Sequence, residues 1–515
     1  MGRRLLLLLA AGALLAPRLG FAQDQTAPAT PAAAPPPAPP APPAPSAPPA
    51  EPAAAEPFAW GDFTWLNGTN RQKEALLDTK YFTMSFLLDT NFNYSFNHPI
   101  DHTNVGSTAT FREGEFDLSF VGWGGDFHWK NARGRIMLQY GTRATGIARN
   151  DLSPDRGQFD LRDAFRYLSE AYAGYHWDAW HGINLDAGIF MSYIGLFSYA
   201  NFENWGYQPS YTSDNTPWFF QGIRVQTFPS DRMKIEYWLI NGWQSYGMFT
   251  EMPGFGLQWL WRPVESISVL SNNYFGKDTI AYGEACTATP TSTAQTSTCS
   301  PVTPFPGNPA NRKRFHTDNS FLLRYYNNPG GLLSKAAISV TGDLGFEWGG
   351  GVTPFGGGVN EGPPGASTCA LGPNPNPKGC TQNFISGMGY NRFWFFDDHL
   401  AWTQGGGFMH NPGRYLVLPP TGNANPVNGG YPFTMNPGDP FDAWDASTGI
   451  QYMPDQFSTW GVEYVHRHAS VPYFAGPGGV TSATGTWPGG GFDPSYVPDL
   501  VPSEDRVIFY LLFRM

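Results

Sequence analysis

Sixteen runs of alternating apolar and polar residues are separated by connections that are long and short in strict turn. The runs are 81–96, 114–123, 126–141, 166–177, 182–192, 218–228, 232–241, 254–262, 265–275, 313–327, 333–347, 384–396, 399–409, 443–453, 457–468 and 504–515. A period of two is the signature of a strand whose faces meet different surroundings. In the first run Phe82, Met84, Phe86 and Leu88 alternate with Thr83, Ser85, Leu87 and Asp89. The seventh sets Met233, Ile235, Tyr237 and Leu239 against Arg232, Lys234, Glu236 and Trp238. The short connections are Gly124-Gly125, 178–181, 229–231, Pro263-Val264, 328–332, Asp397-Asp398 and 454–456, built from residues that tight turns require. The others run from about a dozen residues upwards, and no proline falls inside a predicted strand. Tight turns at one rim, long loops at the other and an even strand count predict an all-β transmembrane antiparallel β-barrel of about 16 strands, with short periplasmic turns and long extracellular loops.

Composition agrees with a wall that has lipid on one side and water on the other. Charged residues make up 14% of the 515, against roughly 25% in an ordinary globular protein. Aromatics reach 16%, and no apolar run approaches the roughly 20 residues of a membrane-spanning helix. Trp177, Trp218, Phe219, Trp259, Trp261, Phe395 and Trp402 fall near strand ends, where interfacial girdles form. A net charge of −11 argues against nucleic acid as a partner. The last run alternates Val507, Phe509, Leu511 and Phe513 up to the final residue. It resembles the terminal strand signal of outer-membrane barrels, with Met515 where an aromatic is usual.

Four segments follow. Residues 1–22 read as a signal peptide, with Arg3 and Arg4 before an apolar stretch and Gly20-Phe21-Ala22 as the cleavage site. Residues 23–57 form a Pro/Ala-rich disordered tether, too poor in branched and aromatic side chains to bury a core. Residues 58–80 lead into the barrel, which occupies 81–515. Cys286 with Cys299 and Cys369 with Cys380 are the preferred of three possible disulfide pairings, since each pair lies within one loop of an exported chain.

Alternation assigns the lumen-facing charges, because a barrel of this size leaves an interior that side chains alone do not fill. The basic candidates are Arg135, Arg224, Lys234, Arg262, Arg314, Arg324, Lys335 and Arg467. The acidic ones are Asp89, Asp117, Glu170, Asp186, Glu236, Asp318, Asp343, Asp445 and Glu463. The near balance of sign predicts no strong ion selectivity. For any single residue, a salt bridge along the wall is the better expectation than contact with a solute. No catalytic signature stands out, neither G-x-S-x-G nor H-E-x-x-H nor a phosphate loop. No Ser/His pair on the lipid face stands out either, so the chain reads as a non-enzyme without a cofactor. His466 and His468 share one strand face, a weak metal signal.

Short stretches from Phe58 to Asn328 carry a family resemblance. They are Trp60-Gly61-Asp62-Phe63-Thr64-Trp65-Leu66-Asn67-Gly68, Phe96-Asn97-His98-Pro99, Arg133-Gly134-Arg135, Ser169-Glu170-Ala171-Tyr172, Gly188 to Gly195, Asn241-Gly242-Trp243 and His316-Thr317-Asp318. Together they resemble the OmpL-like beta-barrel porin family, the beta-barrel porin 2 group. The resemblance implies a water-filled channel in the outer membrane of a Gram-negative bacterium, passing small hydrophilic solutes passively. Porins commonly narrow their channel with one inward loop, and the candidate is 193–217, rich in rings and carrying Tyr199, Phe202, Glu203, Trp205 and Asp214. The partners expected are outer-membrane lipid, the solutes, peptidoglycan through the tether, and two further copies in a homotrimer. The competing expectation is a structural anchor or adhesin barrel with a blocked lumen.

Overall fold

The computed structural model describes residues 56–148, 151, 159–248, 252–277, 284–290, 295–301, 313–348, 381–411, 441–481 and 498–515, with backbone alone at 284–290, 295–301 and 381–382. The signal peptide, nearly all of the tether, and Cys369 and Cys380 lie outside the described residues.

The described strands are β1 (Phe82–Ser95), β2 (Phe116–Trp129), β3 (Ala132–Tyr140), β4 (Leu168–Trp177), β5 (Ile183–Met191), β6 (Phe219–Ser230), β7 (Met233–Ile240), β8 (Gly254–Val264), β9 (Ile267–Gly276) and a loop hairpin β10 (Glu284–Pro290) and β11 (Gln295–Pro301). They continue with β12 (Lys313–Asn327), β13 (Leu333–Trp348), β14 (Thr381–Phe395), β15 (Leu400–Asn411), β16 (Phe441–Tyr452), β17 (Ser458–Ala469), the two-residue strands β18 (Phe474–Ala475) and β19 (Leu500–Val501), and β20 (Ser503–Arg514). β1–β9, β12–β17 and β20 form one closed antiparallel barrel, in which each strand pairs with its neighbours in chain order. β20 closes it on β1, with Leu87 opposite Arg514 and Ser95 opposite Arg506. Met515 completes the seam by exchanging backbone hydrogen bonds of 2.8 and 2.9 Å with Phe86. Closure matters in lipid, where an open edge would leave N–H and C=O groups without partners.

All sixteen wall strands coincide with the runs read from alternation, but one turn moves. The Gly124-Gly125 step is inside β2, and the chain reverses at Lys130 and Asn131, with Lys130 at φ 53°. These glycines serve close backbone approach. A Cβ on Gly124, at φ 156°, would lie 1.9 Å from the carbonyl oxygen of Ile136 on β3. The extended β2 sets Asp126 directly opposite Arg135, both inside the barrel. The expectation of proline-free strands is also corrected: Pro229 lies in β6 and Pro263 in β8. Each sits where the pairing register breaks, between Thr227 and Ser230 and between Trp261 and Val264, so neither removes a ladder hydrogen bond.

The outward face carries the exposed rings, among them Trp123, Trp177, Trp261, Trp402 and Phe509. Trp218 and Phe219 depart from the expected girdle. Both are buried inside the loop-side mouth, where Phe219 stacks on Tyr246 at 4.2 Å and Trp218 meets Tyr199 edge-on. In the β10–β11 hairpin Cys286 stands directly opposite Cys299.

Candidate functional site: the occupied lumen

The inward face of the wall is polar and charged, and three segments cover it. Arg467 and Arg506 each expose 0% of their surface although they point into the barrel interior. The first cover is the loop after β5. From Tyr193 to Trp218 nearly every residue is buried, Tyr207 and Tyr211 completely. Its rings pack on rings of the wall: Tyr193 on Trp238 at 4.8 Å, Trp205 edge-on to Trp394 at 5.4 Å, and Tyr207 on Tyr510 at 4.6 Å.

Wall carboxylates hold this loop by its backbone. Glu463 accepts from the amides of Tyr207 and Gln208 at 2.7 and 2.9 Å. Asp445 accepts from the hydroxyl of Ser210 and the amide of Tyr211 at 2.7 and 3.0 Å, and Asp89 from Tyr207 Oη and Asn201 Nδ2 at 2.7 and 2.8 Å. In return, Asp214 of the loop accepts from Arg467 at 2.8 Å and from the Thr108 amide and hydroxyl at 2.9 and 2.6 Å. Burial nonetheless pushes the Asp214 carboxyl above its ordinary range, against the pull of Arg467 and the Thr108 donors. Glu203 pairs with Arg514, and Tyr199 Oη donates to Gln139 at 2.7 Å.

The second cover is the loop after β1. Its Val105 to Thr110 stretch is buried, with the Gly106 carbonyl accepting from Arg467 at 2.6 Å and Thr110 Oγ1 accepting from Arg506 at 2.7 Å. The third is the segment before β1, which crosses the turn-side mouth. The Phe58 amide and Trp60 Nε1 donate to the Asp231 carbonyl at 2.7 and 3.2 Å, Trp65 Nε1 to that of Glu265 at 2.9 Å, and Arg71 to that of Ser458 at 2.7 Å. It meets the inward loop directly: Trp205 Nε1 donates to the Trp65 carbonyl at 3.1 Å, and its amide to Asn67 at 2.8 Å. Gly68, at φ 72°, is required there, because a Cβ would lie 1.9 Å from the Leu196 carbonyl oxygen. Beside this junction an open pocket of about 260 Å³ is bordered by Lys234, Gln258, Arg262, Phe197 and Trp218.

The predicted pore-lining charges fall on the inner face and pair along it. Arg135 bridges Glu170 at 2.5 Å and Asp126 at 2.6 Å, and Asp186 takes Arg224 at 2.8 Å. Lys234 meets Glu236 at 2.6 Å, Arg314 meets Glu347 at 2.6 Å, and Arg324 meets Glu265 at 3.3 Å. Asp343 stands opposite Asp318 and 2.9 Å from His316, and Asp117 accepts from Thr142 and Ser119. Lys335 lies at the turn-side rim against Asp398. Arg262 has no carboxylate within ion-pair distance among the described residues; its guanidinium lies over the rings of Phe58 and Phe63.

Sequence reasoning missed Arg133, Glu347, Arg392, Glu504, Arg506 and Arg514 on the inner face, although the same alternation places them there. It also selected one inserted segment where three are present. The ring density of Phe58, Trp60, Phe63 and Trp65 was the available signal for the segment before β1. One further correction concerns the lipid face. His468 Nδ1 lies 2.8 Å from Ser503 Oγ across β17 and β20, beside His466 on Asp505. The Trp444 ring lies 6.0 Å from the His468 ring, and among the described residues no His, Cys, Asp and Glu side chains gather in a metal-holding group of three.

The profile of the OmpL-like beta-barrel porin-2 family matches residues 81–347, more than half of the chain. The chain belongs to that family. The matched part of this porin spans β1 through β13 and begins after the Trp60 to Gly68 stretch. OmpT of Vibrio cholerae is similar to it at 9% identity, with 86% of the porin and 100% of OmpT covered at a TM-score of 0.45. The outer membrane channel DcaP of Acinetobacter baumannii is similar at 9% identity, covering 86% and 100% with a TM-score of 0.43. For the anion-selective porin from Comamonas acidovorans the figures are 9%, 84% and 99%, and 0.41. No curated protein matches the sequence.

Proposed function

We propose that this porin is a narrow channel for passive diffusion of small hydrophilic solutes and ions across the outer membrane, exported by a cleaved signal peptide. Its Pro/Ala tether contacts peptidoglycan, and it assembles as a homotrimer. The observation that supports conduction is the contrast between the faces of one closed wall. Hydrocarbon and aromatic side chains point out, while Arg135, Asp186, Arg224, Glu236 and Glu463 point in. Charge inside a barrel has a use where water and polar solutes pass. The three inserted segments favour a small bore over a wide one.

The same segments give the structural-anchor reading its specific support, since they fill the lumen from both mouths. Planar-bilayer recording separates the two. The channel reading expects discrete open steps from the folded wild-type chain, and larger steps from a variant lacking residues 58–72. Absence of steps from both, with the heat-modifiable mobility of a folded barrel retained, establishes the anchor. A catalytic role is not part of the proposal. Phospholipid hydrolysis that is lost in Ser503→Ala would overturn that part.

A further inference from the structure

Lys234 and Arg262 are the charged residues bordering the pocket of about 260 Å³ beside the junction of the inward loop and the segment before β1, and among the described residues no carboxylate borders it. Both cations rise from the turn-side ends of their strands, β7 and β8. Leu260 stands directly opposite Lys234 on one side and Leu270 on the other. With Leu322 these leucines make a hydrocarbon stretch of inner wall at the pocket's edge.

Arg262 differs from every other arginine among the described residues. Each of those pairs with a carboxylate or donates to a backbone carbonyl. The Arg262 side chain does neither. Its Nε is buried without a hydrogen-bond partner among the described residues, and its guanidinium lies over Phe58 at 4.8 Å and Phe63 at 4.6 Å. The rings attract the cation but leave its in-plane N–H donors without an acceptor. Those donors form a flat fork that matches a carboxylate. Buried donors in folded proteins are satisfied by protein, water or ligand. Lys234 meets Glu236 at 2.6 Å, but Glu236 is also held by Gln226 at 2.7 Å and Trp238 at 3.1 Å. An ammonium has three donors, so Lys234 keeps capacity for a second acceptor.

We infer that this pocket binds a small organic anion, with its carboxylate on Arg262 and Lys234 and its hydrocarbon part against Leu260, Leu270 and Leu322. The volume lies below the roughly 300 Å³ at which pockets for drug-sized ligands begin, so the occupant is small. An inorganic anion would pair with the cations but leave the leucines wet. A neutral apolar solute would cover the leucines but leave the guanidinium without an acceptor. The site gives the channel reading a solute class, and rests on that reading only in that solutes enter the lumen. One local site needs no net field along the whole path, so weak selectivity among small ions is compatible with it.

The test is isothermal titration calorimetry on the purified, folded full-length protein in detergent, against a blank of empty micelles, with benzoate and hexanoate as probes. No conducting step is involved, so a barrel that passes no current can still show the site, and a conducting one can lack it. Wild type is expected to bind benzoate saturably, roughly tenfold or more tighter than inorganic phosphate or benzyl alcohol. Arg262→Gln should weaken benzoate binding roughly tenfold or more, and Lys234→Gln severalfold, with the heat-modifiable mobility of a folded barrel kept. Arg262→Lys, which keeps the charge without the fork, should retain an intermediate affinity. Lys130→Gln, at the β2–β3 turn, should bind as wild type does. Absence of saturable binding of both probes to wild type overturns the inference. So does an equal affinity for benzoate and either phosphate or benzyl alcohol, or binding that survives both Arg262→Gln and Lys234→Gln.

Discussion

Asp101 lies in the loop after β1, and its carboxylate gathers donors from the last long loop. The amides of Val480 and Thr481 donate to it at 2.8 Å and the Thr481 hydroxyl at 2.7 Å, while the Thr103 amide reaches its other oxygen at 3.1 Å. Burial raises the pKa of this group, but the four donors outweigh it and hold the carboxyl below the usual aspartate range. A depressed acid contributes stability above the pKa of the undocked loop and loses it as pH falls through the depressed value. Docking of residues 470–481 should therefore be constant from neutral to mildly acid pH and weaken only in strong acid. Amide hydrogen exchange at Val480 and Thr481 measures this. Hydrogen bonds to a charged acceptor contribute about 1.5–3 kcal/mol, so Asp101→Asn should speed exchange roughly tenfold or more at neutral pH. Protection that titrates near pH 6 would exclude Asp101 as the latch.

At the scale of elements, the inward loop is held differently from a packed core. Its rings supply burial, but its position is set by Glu463, Asp445 and Asp89 gripping backbone and hydroxyl donors from three different strands. Glu463→Gln keeps the shape and replaces one acceptor oxygen with a donor, so the Tyr207 and Gln208 amides cannot both be satisfied. Roughly 1.5–3 kcal/mol of anchoring is lost, without effect on the barrel wall. Single-channel records of Glu463→Gln should show larger or noisier open steps than wild type. Identical steps would show that the loop does not bound the path. The wall strands were legible in the sequence because lipid and interior impose a strict period of two, as in Met233 to Ile240. The position of the β2–β3 turn was not, because Gly124-Gly125 has the composition of a turn and the function of a close strand contact. Inserted segments escape such reading for a related reason. Once inside the lumen they pack without period, and only their ring content marks them.

The interior of the whole molecule is an alternating lattice of charge. Many guanidinium groups there pair with a carboxylate, and Asp186 alone holds both Arg133 at 3.2 Å and Arg224 at 2.8 Å, whereas Arg262 and Arg392 have no carboxylate within ion-pair distance among the described residues. The mixture of signs along the wall leads us to expect weak ion selectivity. Which charges pair was beyond the sequence, because the partners come from adjacent strands whose register only the folded barrel fixes, as Asp186 opposite Arg224 illustrates. That pairing makes Asp186 the sensitive point. Asp186→Asn retains volume and hydrogen-bonding capacity but deprives Arg133, and Arg224 over the rings of Tyr172 and Phe190, of the carboxylate they share. The reversal potential in a salt gradient, close to zero for wild type, should shift towards anion preference in this variant. Arg224→Gln in the same background removes one uncompensated charge and should return part of the shift. An unchanged reversal potential in Asp186→Asn would mean that ions do not pass along the β5–β6 wall.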